Sequence, residues 1–174
     1  MGRVKKHPPV KLIIGFIFKE GAILKKALAS LERRFGKIDF ESQILDFTHT
    51  DYYEKELGPS LKRKFISFER LIPPENLPKI KIIANRIEDK LADGANRTIN
   101  IDPGYLNHSK LLLASTKDYG HRIYLNNGIF AEVTLFYQDK TFKTLDWTYP
   151  DYKTPEYIEI FIKIRDIYAE QIKT

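Results

Sequence analysis

The fold of this chain is decided by the stretch KLIIGFIFKEGAILKKALASLERRFG, which runs from Lys11 to Gly36. Its first part, Lys11–Phe18, is almost entirely apolar and predicts a buried strand. Residues 21–35 then place apolar side chains at helical spacing, and Gly36 is a natural helix end. The predicted stripe consists of Ile23, Leu24, Ala27, Leu28, Leu31 and Phe35. A buried strand followed by an amphipathic helix therefore opens the fold.

The segments downstream repeat this alternation of strand and helix. The predicted strands are residues 38–48, 61–72 and 98–101, and the predicted second helix is residues 75–91. A polar, Tyr-rich connection over 49–60 joins the first two of these strands, and Pro78 fits the first turn of the helix. The resulting β-α-β-β-α-β order is typical of a ferredoxin-like unit, which we expect over residues 11–106. The predicted fold class is therefore α+β.

The last third of the chain predicts a three-stranded antiparallel meander. Its strands are residues 121–125, 129–137 and 141–147. Asn127-Gly128 favours a type I′ turn, because both central residues of that turn need a positive φ. Asp139-Lys140 is expected at the centre of the second turn. Residues 110–117 stay open between a short helix capped by Ser109 and a buried strand.

A C-terminal helix is predicted to follow the meander. Thr154 supplies an N-cap, Pro155 suits the first helical position, and Glu156 places an acid in the first turn. The helix is expected to run to about Ile172. We expect the meander and this helix, residues 107–174, to pack on the first unit as one domain over 11–174. Residues 1–10 are expected to form a basic, flexible tail.

The composition indicates a globular protein. The chain has 174 residues, of which 43% are hydrophobic and 30% are charged. The absence of cysteine excludes disulfides, zinc–thiolate sites and thiol catalysis. The longest apolar run, residues 12–18, is too short to cross a bilayer, and no leader-like apolar region precedes a cleavage site. We therefore expect a cytoplasmic location.

The charge balance favours anionic partners. The net charge is +6 and the isoelectric point is about 9.3, which attracts polyanions, although lysine-rich surfaces also serve solubility. The sequence contains no P-loop, no dinucleotide-binding glycine motif, no His-Glu-x-x-His and no Gly-x-Ser-x-Gly. These absences exclude the best-known nucleotide-binding and hydrolase motifs and leave the cofactor unknown.

The first candidate site lies in the connection after the second predicted strand. His49 and Asp51 come just past the strand end and precede Tyr52, Tyr53 and Glu54. A His, an Asp and a nearby Glu are suited to bind a divalent metal or to act as acid and base. The alternative is a solvated loop in which His49 is a turn residue.

The second candidate site lies on the predicted hairpin. If Asn127-Gly128 centres the turn, Ile123 faces Glu132 and His121 faces Thr134, so that His121 and Glu132 are diagonal neighbours on one face. Arg122 then points to the opposite face, and Trp147 faces Glu132 from the next strand. Apolar neighbours raise the pKa of a carboxylate such as Glu132, whereas a charged His121 lowers it. The pair is a candidate acid–base couple, and the alternative is an ordinary cross-strand ion pair.

The remaining candidates are residues suited to phosphate or to a turn. Lys110, Ser115, Thr116 and Lys117 offer positive charge and directed hydroxyl and amide donors. Asp102 precedes Pro103-Gly104 and is expected to form a turn there. In a ferredoxin-like order Asp102 and His49 would lie at opposite ends of the sheet. The candidate catalytic residues are thus His121, Glu132, His49 and Asp51, and the candidate ligand-binding residues are Lys110, Thr116, Lys117 and Arg122.

Five segments together resemble a known family. They are FTHTDYYEKELG, NIDPGYL, KLLLASTKDYGHRIYL, GIFAEVTLFY and DWTYPDY. They are similar to an uncharacterised bacterial family, a domain of unknown function of about this size, over nearly the whole chain. Some members carry an automatic label of GTP-binding protein. The resemblance implies no catalytic residues, and neither a P-loop nor a guanine-reading Asn-Lys-x-Asp accompanies it here.

Three functions fit the sequence. The first is a small enzyme or binding protein for a phosphorylated or otherwise anionic small molecule, supported by the polar side chains gathered around loops. The second is an RNA-binding module, supported by the positive charge, the aromatic content and the ferredoxin-like order, although the aromatic RNP pattern is missing. The third is a structural or regulatory interaction protein. Neither a membrane partner nor a particular oligomeric state is expected.

Overall fold

The computed structural model describes residues 2–173 and combines a nine-stranded antiparallel sheet with four α-helices. The strands are β1 (Lys11–Phe18), β2 (Ile38–Glu41), β3 (Leu45–Asp46), β4 (Lys62–Phe68), β5 (Ile99–Leu106), β6 (Lys110–Ser115), β7 (Ile123–Asn126), β8 (Ile129–Gln138) and β9 (Thr141–Thr144). The helices are α1 (Gly21–Phe35), α2 (Glu54–Leu57), α3 (Leu77–Leu91) and α4 (Pro155–Gln171). Residue 1 of the predicted tail and residue 174 of the predicted domain lie outside the described residues.

The central strand is β1, which pairs with β4 on one side and with β5 on the other. All eight of its residues are buried, as its continuous apolar sequence predicts. The even-numbered side chains pack beneath α1 and α3, and full burial of one of them, Phe16, stabilises the fold by roughly 2 kcal/mol. The odd-numbered side chains point to the opposite face, where α4 covers Ile13. Helices therefore lie on both faces of the sheet.

The strand predicted over residues 38–48 is divided in the structure. β2 and β3 both pair with β4, and the chain leaves the ladder between them. Ser42 marks the break: its N–H donates to Phe65 O, and its side-chain oxygen accepts from Phe65 N. A side chain that satisfies the backbone in this way competes with regular pairing. The polar connection that follows contains the short helix α2.

Residues 110–117, whose sequence is compatible with a short helix or a buried strand, contain the strand β6, which leads into the second half of the sheet. The order there is β5-β6-β8-β7. The predicted type I′ turn is confirmed, since Asn127 has φ 52° and Gly128 has φ 74°. Asp139 and Lys140 also have positive φ at the centre of the next turn.

The predicted meander differs from the observed arrangement in one respect. β6 pairs with one edge of β8 along its length, so β7 and β9 lie end to end on the other edge. A gap over residues 132–134 separates these two short strands on that edge. The loop after β9 fills the gap: Trp147 Nε1 donates to Val133 O and Thr148 Oγ1 donates to Thr134 O.

The C-terminal helix α4 forms as predicted. Thr154 Oγ1 accepts from Tyr157 N, and Pro155 is the first helical residue. The buried side of α4 contributes Tyr157, Ile160, Phe161, Ile164 and Tyr168 to the second core. Among residues 2–173, no helix has the length and apolar character needed to cross a membrane.

Candidate functional site

A cavity of about 940 Å³ opens where β5 and β6 diverge. These strands pair only over Gly104–Leu106 of β5, so the first half of β5 has an edge without a strand neighbour. α3 lies along this edge and replaces the missing strand. The Ile101 N–H donates to the Glu88 carboxylate, and Lys81 Nζ donates to Ile101 O at 3.0 Å. The floor of the cavity therefore carries charged side chains that also complete the sheet.

Pro103 and Gly104 explain why the strands part here, and they correct the predicted turn at Asp102. The Ile101 N–H points away from β1, and because this direction repeats every second residue, the Pro103 nitrogen also points away from β1. Proline has no N–H, so it cannot donate to a hydrogen-bond ladder with β6 at this position. Gly104 is needed where β6 approaches, since a Cβ there would lie 2.1 Å from Leu112 O. Asp102 thus lies within β5 and not in a turn.

This position of Asp102 also overturns the predicted separation from His49. Asp102 pairs with Gly15 in the middle of the sheet, and both Asp102 and His49 line the cavity. Loop 47–57 reaches back over the sheet face and brings His49 with it. The two residues therefore belong to one site.

Arg63 is one of two arginines of the site whose side chains are almost fully buried. Its side chain is 2% exposed and lies among the rings of Phe65 and Tyr152, with the guanidinium carbon 4.7 and 5.2 Å from their centroids. Nη2 donates to Tyr152 Oη at 2.8 Å and lies 3.5 Å from Asp151 Oδ2. Nη1 lies 3.9 Å from Asp102 Oδ2. A buried charge requires such partners, and here two carboxylates and aromatic faces supply them.

Gly15 makes room for the Phe65 ring, which packs against this arginine. A Cβ at Gly15 would lie 3.0 Å from the Phe65 ring and 3.5 Å from Arg63 Nη2. The glycine in the middle of the fully buried strand β1 therefore reflects the side chains above it, which is a common reason for glycine inside a strand.

Loop 47–57 is tied to the floor by an ion-pair network. Arg97 binds both carboxylate oxygens of Glu56 at 2.5 and 2.6 Å. The same guanidinium reaches Glu88 Oε2 at 3.3 Å and Asn100 Oδ1 at 3.1 Å. Asn100 Nδ2 in turn donates to Asp102 Oδ2 at 2.6 Å. Two tyrosines of this loop, Tyr52 and Tyr53, line the cavity.

The opposite wall is built around Arg122 and Glu132. Arg122 Nε donates to Glu132 Oε2 at 2.8 Å, and His121 Nε2 lies 3.1 Å from the same oxygen. The predicted meeting of His121 with Glu132 is confirmed, but the prediction that Arg122 points to the opposite face is wrong. The Arg122 and Glu132 side chains are 2% and 1% exposed, and both residues line the cavity.

The hairpin register explains this correction. Ile123 pairs with Ala131 and not with Glu132, because the register shifts between Tyr124 and Asn126. The β7 ladder begins at Ile123, so His121 and Arg122 precede the strand and need not alternate in direction. Trp147 does not face Glu132 across a strand, since β9 ends at Thr144; its ring stacks on His121 with centroids 5.3 Å apart.

The end of β6 supplies the mouth of the cavity. Arg122 Nη1 donates to Ser115 Oγ at 2.8 Å and to Lys117 O at 3.0 Å, while Nη2 donates to Tyr149 Oη at 2.6 Å. Burial, together with the nearby Glu132 carboxylate, raises the pKa of Tyr149 to about 12. Lys117 Nζ donates to Tyr52 Oη at 2.6 Å, which joins the two sides of the opening.

The predicted site residues divide into those that reach this cavity and those that do not. The cavity is lined by five of them: His49, Thr116, Lys117, Arg122 and Glu132. His121 is outside the lining and contacts Glu132. Asp51 is exposed and outside the lining. Lys110 lies at the far end of β6, where it pairs with Phe136. Within residues 2–173, no group of three or more His, Asp or Glu is placed to hold a metal ion.

Sequence reasoning missed the deepest polar residues. Arg63 stands between two lysines and resembles surface charge, but alternation in a strand directs it away from Lys62 and Lys64, toward the face of Phe65. Lys81 and Glu88 are polar residues two helical turns apart on α3, and both interrupt its buried side. The one available sequence signal was Gly15 inside an apolar run, because a glycine within a strand often marks the close approach of another group.

The cavity carries nearly balanced charge. Among the described residues, five cationic and six acidic side chains line it. Each of its three arginines is paired with at least one carboxylate. Five tyrosines, Tyr52, Tyr53, Tyr119, Tyr149 and Tyr152, add rings and hydroxyls. Such a surface offers directed hydrogen bonds and ring contacts and carries little net charge.

Comparisons with known proteins give one match. Residues 8–168 match the model of a family described as "Domain of unknown function (DUF4416)". Neither the curated proteins nor the solved structures contain a match.

Proposed function

The chain belongs to this family of unknown function, and we propose that it binds a small polar molecule with an anionic group in the cavity between β5, β6 and α3. The observation that carries the proposal is the convergence of buried charged side chains on a cavity of about 940 Å³. Ligand sites are typically concave, of this volume, and contain a few convergent polar groups. Residues from β4, β5, β6, α3, loop 47–57 and the segment before α4 all contribute.

The anionic group fits best at the mouth of the cavity. Among the described residues, Lys117 has no carboxylate within ion-pair distance. The Arg122 guanidinium is held with one edge toward Ser115 and the Lys117 carbonyl. Charge-assisted hydrogen bonds from these groups, with the Ser115 and Thr116 hydroxyls, suit a phosphate or carboxylate. The tyrosine rings farther in suit the uncharged part of the molecule.

The contacts of Glu132 support a role for this carboxylate in positioning Arg122 more than a role in proton transfer with His121. Glu132 Oε2 already accepts from Arg122 and contacts His121, and Oε1 lies 3.3 Å from Thr134 Oγ1. A carboxylate with these partners holds Arg122 in place. Acid–base catalysis by the pair stays a prediction, as does a catalytic role for His49 and Asp51.

A thermal-shift screen of matched compounds tests the proposal. We expect phosphorylated or carboxylated small molecules to stabilise the protein, and their uncharged counterparts to do so less. For a hit, Arg122→Ala should weaken binding by about 10- to 100-fold, because a charge-assisted hydrogen bond contributes about 1.5–3 kcal/mol.

The matched control is Lys110→Ala, which removes a cation from the same region of sequence outside the cavity. Its affinity should equal that of the wild type. Equal affinity of Arg122→Ala and wild type, with both folded by circular dichroism, would reject the assignment.

Two finer features of the fold and location are also proposals. The order β2-β4-β1-β5, with α1 and α3 on one face, supports a ferredoxin-like arrangement of residues 11–106. The absence of cysteine supports a cytoplasmic location.

The interaction-protein alternative is favoured by one observation. The edge strand β7 exposes Ile123, Tyr124 and Leu125, with Ile123 71% exposed. Exposed apolar side chains on an unpaired strand edge suit pairing with another chain. Light scattering across a range of concentrations separates this alternative from a monomeric binding protein.

A further inference from the structure

A second concave surface, of about 400 Å³, lies between α1 and α3 on the other side of the molecule from α4. We call it the basic groove. Its walls carry Arg33 and Arg34 from α1, and Arg86 and Lys90 from α3. No acidic side chain among the described residues lines it. This differs sharply from the charge-balanced cavity described above.

The cations of the basic groove have no ionic partners. Within residues 2–173, Arg34, Arg86 and Lys90 make no hydrogen bond or ion pair through their side chains, and Arg33 only donates Nε to Ala29 O in its own helix. On α4, by contrast, Lys163 lies 2.8 Å from Glu159. Four neighbouring cations that repel one another without compensation are suited to an external anion.

Helix stability accounts for only part of this pattern. Arg33, Arg34 and Lys90 lie in the last turns of their helices, where a cation interacts favourably with the helix dipole. Arg86 lies further from the end of α3 and gains little from that effect. The dipole also gives no reason for two helices to turn their cations toward one shared groove.

We infer that the basic groove binds the sugar–phosphate backbone of a nucleic acid. The wall on α3 extends from Ile83 to Leu91, which is about 12 Å at 1.5 Å per residue. At about 3.4 Å per phosphate along one strand, this length accommodates roughly three phosphates. None of the described residues that line the groove is aromatic, so no ring is available for base stacking. Contact to the backbone, without base readout, is therefore expected.

The composition of the groove favours nucleic acid over a membrane surface. Its apolar part consists of half-buried side chains at the base of the groove, among them Ile83 and Ile87. A membrane-binding helix instead exposes a wide apolar face for insertion between lipids. The usual platform of ferredoxin-like RNA-binding folds, the open sheet face, is covered here by α4. The helical face is therefore the surface left for an RNA or DNA backbone.

Fluorescence anisotropy with a labelled single strand and with its duplex tests the inference over a salt series. The full-length protein should bind at low salt and lose affinity as salt rises. The double variant Arg34→Ala/Arg86→Ala should bind at least about tenfold more weakly at low salt. The magnitude of the slope of log K against log salt should fall by about 1.4–1.8, since each of the two lost phosphate contacts contributes about 0.7–0.9.

The matched control is Lys153→Ala/Lys163→Ala, which also removes two positive charges, but at the α4 side of the molecule. It should keep the wild-type slope. Equal losses in both double variants, or no binding by the wild type at low salt, would overturn the inference. Binding to anionic lipid vesicles without binding to either nucleic acid would also overturn it.

The outcome is independent of the proposed ligand site. Arg122→Ala should leave nucleic-acid binding unchanged, because Arg122 lies in the cavity and not in the basic groove. Thermal melting of Arg34→Ala/Arg86→Ala gives the remaining readout. A lower melting temperature with an unchanged salt slope would mean that the arginines serve only helix stability, and would contradict the inference.

Discussion

At the scale of single residues, the floor of the cavity depends on charges held out of water. Glu88 is 4% exposed, yet it accepts the Ile101 N–H and contacts Arg97. Burial raises the pKa of its carboxyl group above the usual range, and the nearby Lys81 offsets part of this shift. The carboxylate therefore costs stability while it completes the edge of β5.

Glu88→Gln tests this cost through its pH dependence. Because the folded pKa lies above the unfolded value of 4.5, the folded state holds more protons just above pH 4.5, and wild-type stability falls as pH rises through the folded pKa. The glutamine variant has no such loss, so its stability relative to wild type should increase from pH 4 to pH 7. Urea unfolding at both pH values measures the change. A relative stability that stays constant or decreases would contradict the raised pKa.

At the scale of elements, two glycines place the strands that frame the site. Gly104 meets the backbone of β6, whereas Gly15 meets a side-chain ring and a guanidinium group. A side chain can rotate away from a new methyl group, but a paired backbone cannot without breaking its ladder. The two positions should therefore differ in what they tolerate.

Alanine at each glycine measures that difference. Gly104→Ala should destabilise the protein by roughly 3 kcal/mol or more, and Gly15→Ala by about 1–3 kcal/mol, because the Phe65 ring must shift. Gly120→Ala is the control, since nothing lies within 4 Å of its added Cβ, and it should stay within about 0.5 kcal/mol of wild type. Denaturant unfolding ranks the three, and a Gly104→Ala as stable as the control would refute the close approach.

The elements also show what local sequence could and could not predict. β1, α1, α3, α4 and the Asn127-Gly128 turn follow from apolar spacing and local turn chemistry, because these signals act within a few residues. Asp102-Pro103-Gly104 has the same composition as a turn, and only the distant β6 and α3 decide that it is a strand. The contact between His121 and Glu132 was predictable from the hairpin. The direction of Arg122 was not, because it depends on a register shift that the local sequence pattern does not indicate.

At the scale of the whole molecule, the sheet is protected unevenly. β1 lies in the centre between two helical layers, while every residue of the terminal strand β7 is exposed. Edge strands with few buried contacts open locally at much lower free energy than the centre of a sheet.

Amide hydrogen exchange should report this gradient. We expect the amides of β1 to exchange only through global unfolding, and those of β7 to exchange at least about a hundredfold faster. Addition of a ligand for the cavity should slow exchange in loop 47–57 and leave β7 unchanged. Protection of β7 equal to that of β1 in a dilute sample would indicate that its edge is covered by another chain.

The pairing of Arg63 with Tyr152 has a consequence for how the protein is made. The two residues are 89 positions apart, and the chain leaves the ribosome from its N-terminus. At about 5–20 residues per second, Arg63 is synthesised roughly 4–18 seconds before Tyr152. During that interval the nascent chain lacks the phenol, the Asp151 carboxylate and the helix α4 that enclose this cation. The site is therefore completed only after α4 has been synthesised, and a chain released before Asp151 would hold Arg63 with one of its two carboxylate partners, Asp102.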